Sequence, residues 1–386
     1  MIDKSFITTS RLLWDCEFHY KLLSSIIKIS DSKVSALLSS IILRECTVFV
    51  QEMSKYIPSM EEIILTDTSK VFSDSYRLIR DKIHYFSSQP FCYSTEEAIA
   101  KSVARRMQLY YLTRPIDDMS VFRYDLSYVK VDDVIYSSSM DIHMLIDGTP
   151  IEKNGKILPD VLRQYCKDLA SLISSVRQGF VGTNLDEMIH LDDFCLSSER
   201  TNVELFDGKL DVAVRKSGFS EYLTILSLRF LSDLGSLIYM IKKLFTDDWI
   251  NSHYLYFLAR LIAIRFDEIS DAVYRIDKDF PNDEAIDFIN LLKANDIYPF
   301  PEDLRLVAKR LRNSIHYNSS SEIWSLNFNK SFYWHENFLK QARTKSSSFT
   351  NWPDDYLILK DQMLTHLELL HNLLSSIFDY KLKFQL

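Results

Sequence analysis

Two short segments carry the residue types from which a reaction can be built. Arg312-Asn313-Ser314-Ile315-His316-Tyr317, late in the chain, is nearly repeated as Arg80-Asp81-Lys82-Ile83-His84-Tyr85 early in it. Each copy has an Arg, then Asn or Asp, and then Ile-His-Tyr. On a helix, Arg and His at i and i+4 fall on one face, so each copy sets a guanidinium beside an imidazole. The imidazole titrates near neutrality and can take a proton from a ribose 2′-hydroxyl or give one to a leaving 5′-oxygen. The guanidinium can hold the phosphate and stabilise the charge that builds on its oxygens. With the 2′-hydroxyl as internal nucleophile, the substrate is expected to be RNA rather than DNA, cleaved without a metal or other cofactor. Two such helices meeting would surround one phosphate with two His and two Arg.

The elements that must position these segments are helices, and they recur as well. Residues 9–29 set Leu12, Leu13, Cys16, Tyr20, Leu23, Ile26 and Ile27 at helical spacing, and residues 32–57 do the same with Val34, Leu37, Leu38, Ile41, Ile42, Cys46, Phe49, Val50 and Met53. A short segment then leads into a helix over 71–85 that carries the first Arg-His pair. Residues 88–158 interrupt the pattern. Ser94 with Glu97 is a capping-box signal for a helix through Arg105, Arg106 and Tyr110. Residues 121–136 then alternate apolar and polar, and Asp147-Gly148 and Asn154-Gly155 are turn dipeptides, which predicts a small β insertion. A helical stripe resumes over 159–176.

Residues 178–217 read as a connector with a hairpin over 204–212, turning at Asp207-Gly208 and packing on one of the bundles. Helices are predicted next over 221–245, 252–276 and 284–293. Ile42-Leu43-Arg44-Glu45 in the second helix resembles Ala263-Ile264-Arg265-Phe266-Asp267 here. Pro301-Glu302-Asp303 starts the helix that bears the second Arg-His pair. After an irregular stretch over 319–354, a helix over 356–380 closes the chain's second programme. The expected organisation is a first bundle over 1–178 with its insertion, a connector over 179–217, and a second bundle over 218–386.

Composition agrees with this division. A chain of 386 residues with 47% apolar content can bury two ordinary cores, and only 7 Gly leave little room for a glycine-rich phosphate loop. The net charge of −8 argues against a protein that coats nucleic acid, since such binding works by neutralising phosphates with Lys and Arg. RNA is therefore expected at a local basic site on an acidic body. Cys16, Cys46, Cys92, Cys166 and Cys195 are odd in number and widely spaced, fitting neither a disulfide framework nor a metal site. The segment Met1-Ile2-Asp3-Lys4-Ser5 lacks the blocks of a secretory signal. No apolar run reaches the ~18 residues a membrane span needs. A cytoplasmic protein with no membrane partner is expected.

A helical bundle whose late helix ends in Arg, a polar residue, and then His resembles the HEPN superfamily, which includes many RNases and toxins of bacterial defence. Its usual motif is Arg, four to six residues, then His. Arg80-Asp81 and Arg312-Asn313 match the polar neighbour, with three residues before each His. Counting from Arg77 to His84 or from Arg310 to His316 meets the longer spacing. The resemblance implies an all-α fold of two tandem HEPN-like bundles with a β-containing insertion and connector. It implies an endoribonuclease acting as a toxin or abortive-infection effector. His84 and His316 would be acid and base, Arg80 and Arg312 the phosphate ligands, and Asp81 and Asn313 the groups that orient them. The implied partners are tRNA or another structured RNA, and a regulatory protein or a second copy pairing His316 with its symmetry mate. The competing expectation is a non-catalytic HEPN-like interaction or nucleotide-binding scaffold. A third is an antitoxin-like acceptor of nucleotides from a partner enzyme.

Other residues invite simpler readings. Tyr85 and Tyr317 are expected to close the bundle ends rather than stack on bases. Tyr333-Trp334-His335-Glu336 with Lys340, Arg343 and Lys345 reads as a loop anchored by its aromatics, and Arg105-Arg106 with Tyr110 and Tyr111 as a solvated helix face. His366 and His371, five apart, do not have the spacing of a helical metal pair and read as surface or interface residues.

Overall fold

The computed structural model describes residues 4–29, 32–57, 59–88, 126–131, 134–138, 142, 145–153, 156–179, 203–208, 210–241, 254–279, 283–313 and 354–378. The first set of helices is α1 (Lys4–Ile27), α2 (Ser32–Tyr56), α3 (Met60–Asp67), α4 (Lys70–Ser88) and α5 (Pro159–Gln178). After α6 (Leu210–Ser217) come α7 (Glu221–Tyr239), α8 (Tyr254–Asp279), α9 (Asp283–Ala294), α10 (Glu302–Asn313) and α11 (Asp354–Phe378). The fold is all-α with a small amount of sheet. Local signals start several helices. Pro159 opens α5 with Asp160 in its first turn, and the Ser220 hydroxyl caps α7 by accepting from the Leu223 N–H. Glu302 and Asp303 follow Pro301 into α10, where they face the positive end of the helix.

The same packing scheme occurs twice. In the first set α1 packs on α2 and α5, and α2 packs on α3, α4 and α5. In the second, α7 packs on α8 and α11, and α8 packs on α9, α10 and α11. Substituting α7–α11 for α1–α5 in order carries these contacts over, and α4 and α10, the helices of the repeated motif, each pack on the corresponding long helix, α2 or α8; α4 packs in addition on α3 and α5, contacts that α10 does not repeat to a comparable extent among the described residues. The correspondence extends to sequence: Leu12-Leu13-Trp14-Asp15 of α1 matches Phe230-Leu231-Ser232-Asp233 of α7. Both sets contribute to one continuous apolar core, which includes Leu12, Cys46 and Leu169 from the first and Leu234, Phe266 and Leu367 from the second.

The sheet crosses the predicted divisions. β1 (Leu126–Val131) lies between β2 (Val134–Ser138) and β5 (Val203–Gly208), antiparallel to both, with β5 running from Leu126↔Gly208 to Val131↔Val203. The insertion thus supplies two strands and the connector a third. The predicted hairpin over 204–212 is corrected: the strand continues through Asp207-Gly208 and α6 begins at Leu210. Pairing with β1 carries the strand through both residues of the turn dipeptide, a long-range override of a local signal. The connector packs as expected, with α6 on α7 and α11. A separate short pair, β3 (Glu152–Lys153) and β4 (Lys156–Ile157), flanks the predicted turn at Asn154-Gly155.

Strand β2 lies on α7, and both parities of its residues from Ile135 to Ser138 are buried. Alternation of a half-exposed strand is therefore the wrong description of this segment. Gly235 permits the approach: a Cβ there would stand 1.9 Å from the Ile135 carbonyl oxygen and 2.9 Å from Tyr136 Cα. Polar contacts hold the edge. The Ser138 N–H donates to Ser232 Oγ at 2.9 Å, and His371 Nε2 lies 3.1 Å from the Ile135 carbonyl, to which its N–H donates. His371 is buried at this seam, so it is no surface residue, whereas His366 is half-buried with its ring against Phe266 and Phe300. Gly235→Ala is expected to push β2 off α7 at a cost of about 1–3 kcal/mol, read as a lowered urea midpoint.

Candidate functional site

Among the described residues, the densest concentration of buried charge lies where the two helix sets meet. Arg44 of α2 donates to both carboxylate oxygens of Asp233 on α7 at 3.3 Å, and to Glu268 on α8 at 3.0 Å. Arg265 of α8 donates to Glu45 of α2 and to Glu268 at 3.0 Å. The arrangement is an exchange, with each of the two equivalent helices giving an Arg to the other's Glu. Nearby, Arg260 of α8 holds Asp15 of α1 with one contact at 3.1 Å, and Phe18 stacks on Phe257 at 4.8 Å. The resemblance between Ile42–Glu45 and Ala263–Asp267 lies in this exchange.

The charges are coupled. Burial alone would raise the Glu268 carboxyl, but Arg44, Arg265, Arg312 and Arg229 together outweigh it and hold the group at about 2. Burial lowers Arg265 to about 10, with Arg44 adding to the effect, and the group stays charged at neutral pH. Asp233 is pushed up by burial against the opposing pull of Arg44. Arg312, the motif residue of α10, belongs to the edge of this system. Its Nη1 lies 2.8 Å from Oδ2 of Asp267, a carboxylate only 3% exposed, whose pKa is raised by burial and countered by Arg312. Arg305 makes a parallel bridge to Asp271 at 2.8 Å with its guanidinium over the Tyr274 ring. Two rungs therefore fasten α10 to α8.

The first motif is built differently. Arg80 is bordered by Asp81 at 3.4 Å and Glu61 at 3.6 Å, both well exposed, and its guanidinium lies 5.8 Å from the centre of the Tyr76 ring. The Lys82 ammonium donates to the Asp147 carbonyl, which fixes the end of α4 to the turn containing Gly148. Position 84 follows Arg80 by one turn of α4, but the side chains of Ile83, His84 and Tyr85 lie outside the described residues, as do Ser314 to Tyr317 and hence His316. Of the supporting residues, Arg77 and Asp81 are exposed, while Arg310 and Asn313 are half-buried. The loop residues His335, Lys340, Arg343 and Lys345 and the insertion residues Ser94, Glu97, Arg105, Arg106, Tyr110 and Tyr111 also lie outside the description. Helix α4 packs on α2, α3 and α5, and α10 on α8; among the described residues the two do not pack on each other to a comparable extent.

Other chemistry has little support among the described residues. No group of His, Cys, Asp and Glu is arranged to hold a metal, and no helix is long and apolar enough to cross a membrane. Cys16, Cys46 and Cys166 are buried, and burial pushes the Cys166 thiol up to about 12, far from a reactive thiolate. His19 is a core imidazole: burial lowers it to about 4, its Nδ1 lies 2.7 Å from the Asp15 carbonyl, and its ring stacks on Phe49. Comparison of the chain with family models, with curated proteins and with solved structures finds no match.

The Glu268 carboxyl sits below its ordinary value, so its contribution to stability is present above about pH 4.5 and is lost as pH falls towards about 2. Glu268→Gln is expected to lower the urea midpoint at neutral pH. Wild type and variant should then converge over that acid window, as followed by circular dichroism.

Proposed function

We propose that this protein is a metal-independent endoribonuclease of the HEPN type, acting in the cytoplasm as a toxin or abortive-infection effector. The reading is supported by one observation: the repeated Arg-bearing helices α4 and α10 each pack on the corresponding long helix, α2 or α8, of two partly parallel packing schemes. A duplicated polar segment on a duplicated scaffold is what a paired Arg-His reaction site requires. In the proposed reaction, one imidazole of His84 and His316 removes the 2′-hydroxyl proton as the oxygen attacks phosphorus. The other protonates the leaving 5′-oxygen, so the products end in a 2′,3′-cyclic phosphate and a 5′-hydroxyl. An Arg guanidinium neutralises the phosphate oxygens meanwhile. The acidic body favours a chosen, structured RNA over indiscriminate binding.

A second reading, a non-catalytic scaffold, is favoured by the ion pair that binds Arg312 to Asp267 and by the separate packing of α4 and α10. Incubation of the protein with total cellular RNA in EDTA separates the two. Cleavage leaving cyclic phosphate ends, at least a hundredfold slower in His84→Ala/His316→Ala, is the expected result. RNA that survives the folded wild-type protein intact would favour the scaffold.

A further inference from the structure

The two motif arginines are alike in sequence and unlike in setting. Arg312 lies 2.8 Å from a carboxylate that is 3% exposed, on the helix against which α10 packs, and Arg305 bridges α10 to the same helix through Asp271, a carboxylate that is 40% exposed. If Arg312 turned to a substrate phosphate, Asp267 would be left buried as an uncompensated charge, which is far costlier than losing an exposed pair. Among the described residues, Arg80 pairs with carboxylates that are 75% and 59% exposed, at 3.6 and 3.4 Å, and solvent screens such pairs until they hold little. The sequence explains the difference. Aligning Arg44 with Arg265, as their exchanged pairs require, sets Cys46 opposite Asp267. Cys46 is a buried neutral thiol, so at this position α2 has no counterpart to the carboxylate that α8 sets against Arg312.

We infer that the two motifs have divided the work: Arg80 is the guanidinium that receives the substrate phosphate, and Arg312 is a positioning residue, pinned by Asp267, that fixes the end of α10. This division rests on the ribonuclease reading. Arg80 and Arg312 are themselves about equally exposed, but the exposure of its partner carboxylates lets Arg80 exchange them for a phosphodiester at small cost, and the bound anion would sit one helical turn from position 84. Arg312 instead sets where the chain leaves α10, three residues before His316.

The test combines binding and stability on the full chain. The probe is a fluorescent 2′-O-methyl RNA oligonucleotide of mixed sequence, which offers phosphates but no nucleophile. Arg80→Met is expected to weaken its binding at least tenfold and to leave the urea midpoint within error of wild type. Arg312→Met is expected to lower the midpoint and to change binding less than twofold. Asp267→Asn/Arg312→Met, which removes both charges of the pair, should recover part of the lost midpoint and so show coupling between the two side chains. Equal loss of binding in Arg80→Met and Arg312→Met would overturn the division, as would additive midpoints in the Asp267 and Arg312 variants. A wild-type protein that binds no oligonucleotide would overturn the role given to Arg80 together with the ribonuclease reading, while the coupling of Asp267 and Arg312 would still be measured.

Discussion

The exchanged pairs between α2 and α8 are the constraint on which the relation of the two helix sets depends. Apolar stripes attract without specifying register, and two amphipathic helices can slide by a turn at modest cost. Arg44 and Arg265 remove that freedom, because each must reach a carboxylate of the opposite helix while Glu268 serves both. Burying these groups costs desolvation energy that their attraction roughly offsets, so their value lies less in net stability than in the penalty on every other alignment. Asp15 with Arg260 extends the same rule to α1, and Asp233 with Arg44 extends it to α7. Four helices are thereby fixed by hydrogen bonds with direction as well as by packing.

A repeated scaffold does not keep its copies identical. At the junction the two Arg occupy matching positions, but their Glu partners do not: Glu45 stands opposite Phe266 and Glu268 opposite Thr47. Two residues beyond each Arg, position 46 is a thiol in the first set and position 267 a carboxylate in the second. That single difference ties one motif helix into the charge system and leaves the other at its margin. Arg312 meets Asp267, the neighbour of Glu268 in the chain, so the second motif borders the junction.

The helices were legible in the sequence because their information is local. Leu12, Cys16, Leu23 and Ile26 on α1, or Leu162, Cys166, Leu169 and Ile173 on α5, mark buried faces by spacing alone, and Pro159, Ser220 and Pro301 mark beginnings. The likeness of Arg44 and Arg265 was also legible, but not its purpose, since an Arg within an apolar stripe looks the same whether its partner is on its own helix or another. The sheet was misread where its pairing is long-range. Asp207-Gly208 has the chemistry of a turn, and only the presence of β1 beside it makes it the end of a strand. His371 read as a surface or interface residue because its spacing from His366 carries no record of the Ile135 carbonyl. For the candidate site, the sequence identified Arg80 and Arg312 as a pair and gave no sign that Asp267 would separate their circumstances.

The route by which the sheet is assembled sets the order in which this chain can mature on a ribosome. The β1–β2 hairpin is synthesised before β5, before the α7 surface that takes Gly235 against it, and long before the imidazole of His371 on α11 that satisfies the Ile135 carbonyl. Until those segments emerge, Tyr128, Val129, Ile135 and Tyr136 have no lasting cover. The early helices can associate as they appear, but the apolar hairpin between α4 and α5 must wait. A nascent chain of this kind carries an exposed strand edge through most of its translation. Closure of the earliest-made third is thus deferred until the latest-made helix arrives, which makes the native state a property of the finished polypeptide rather than of two units completed in turn.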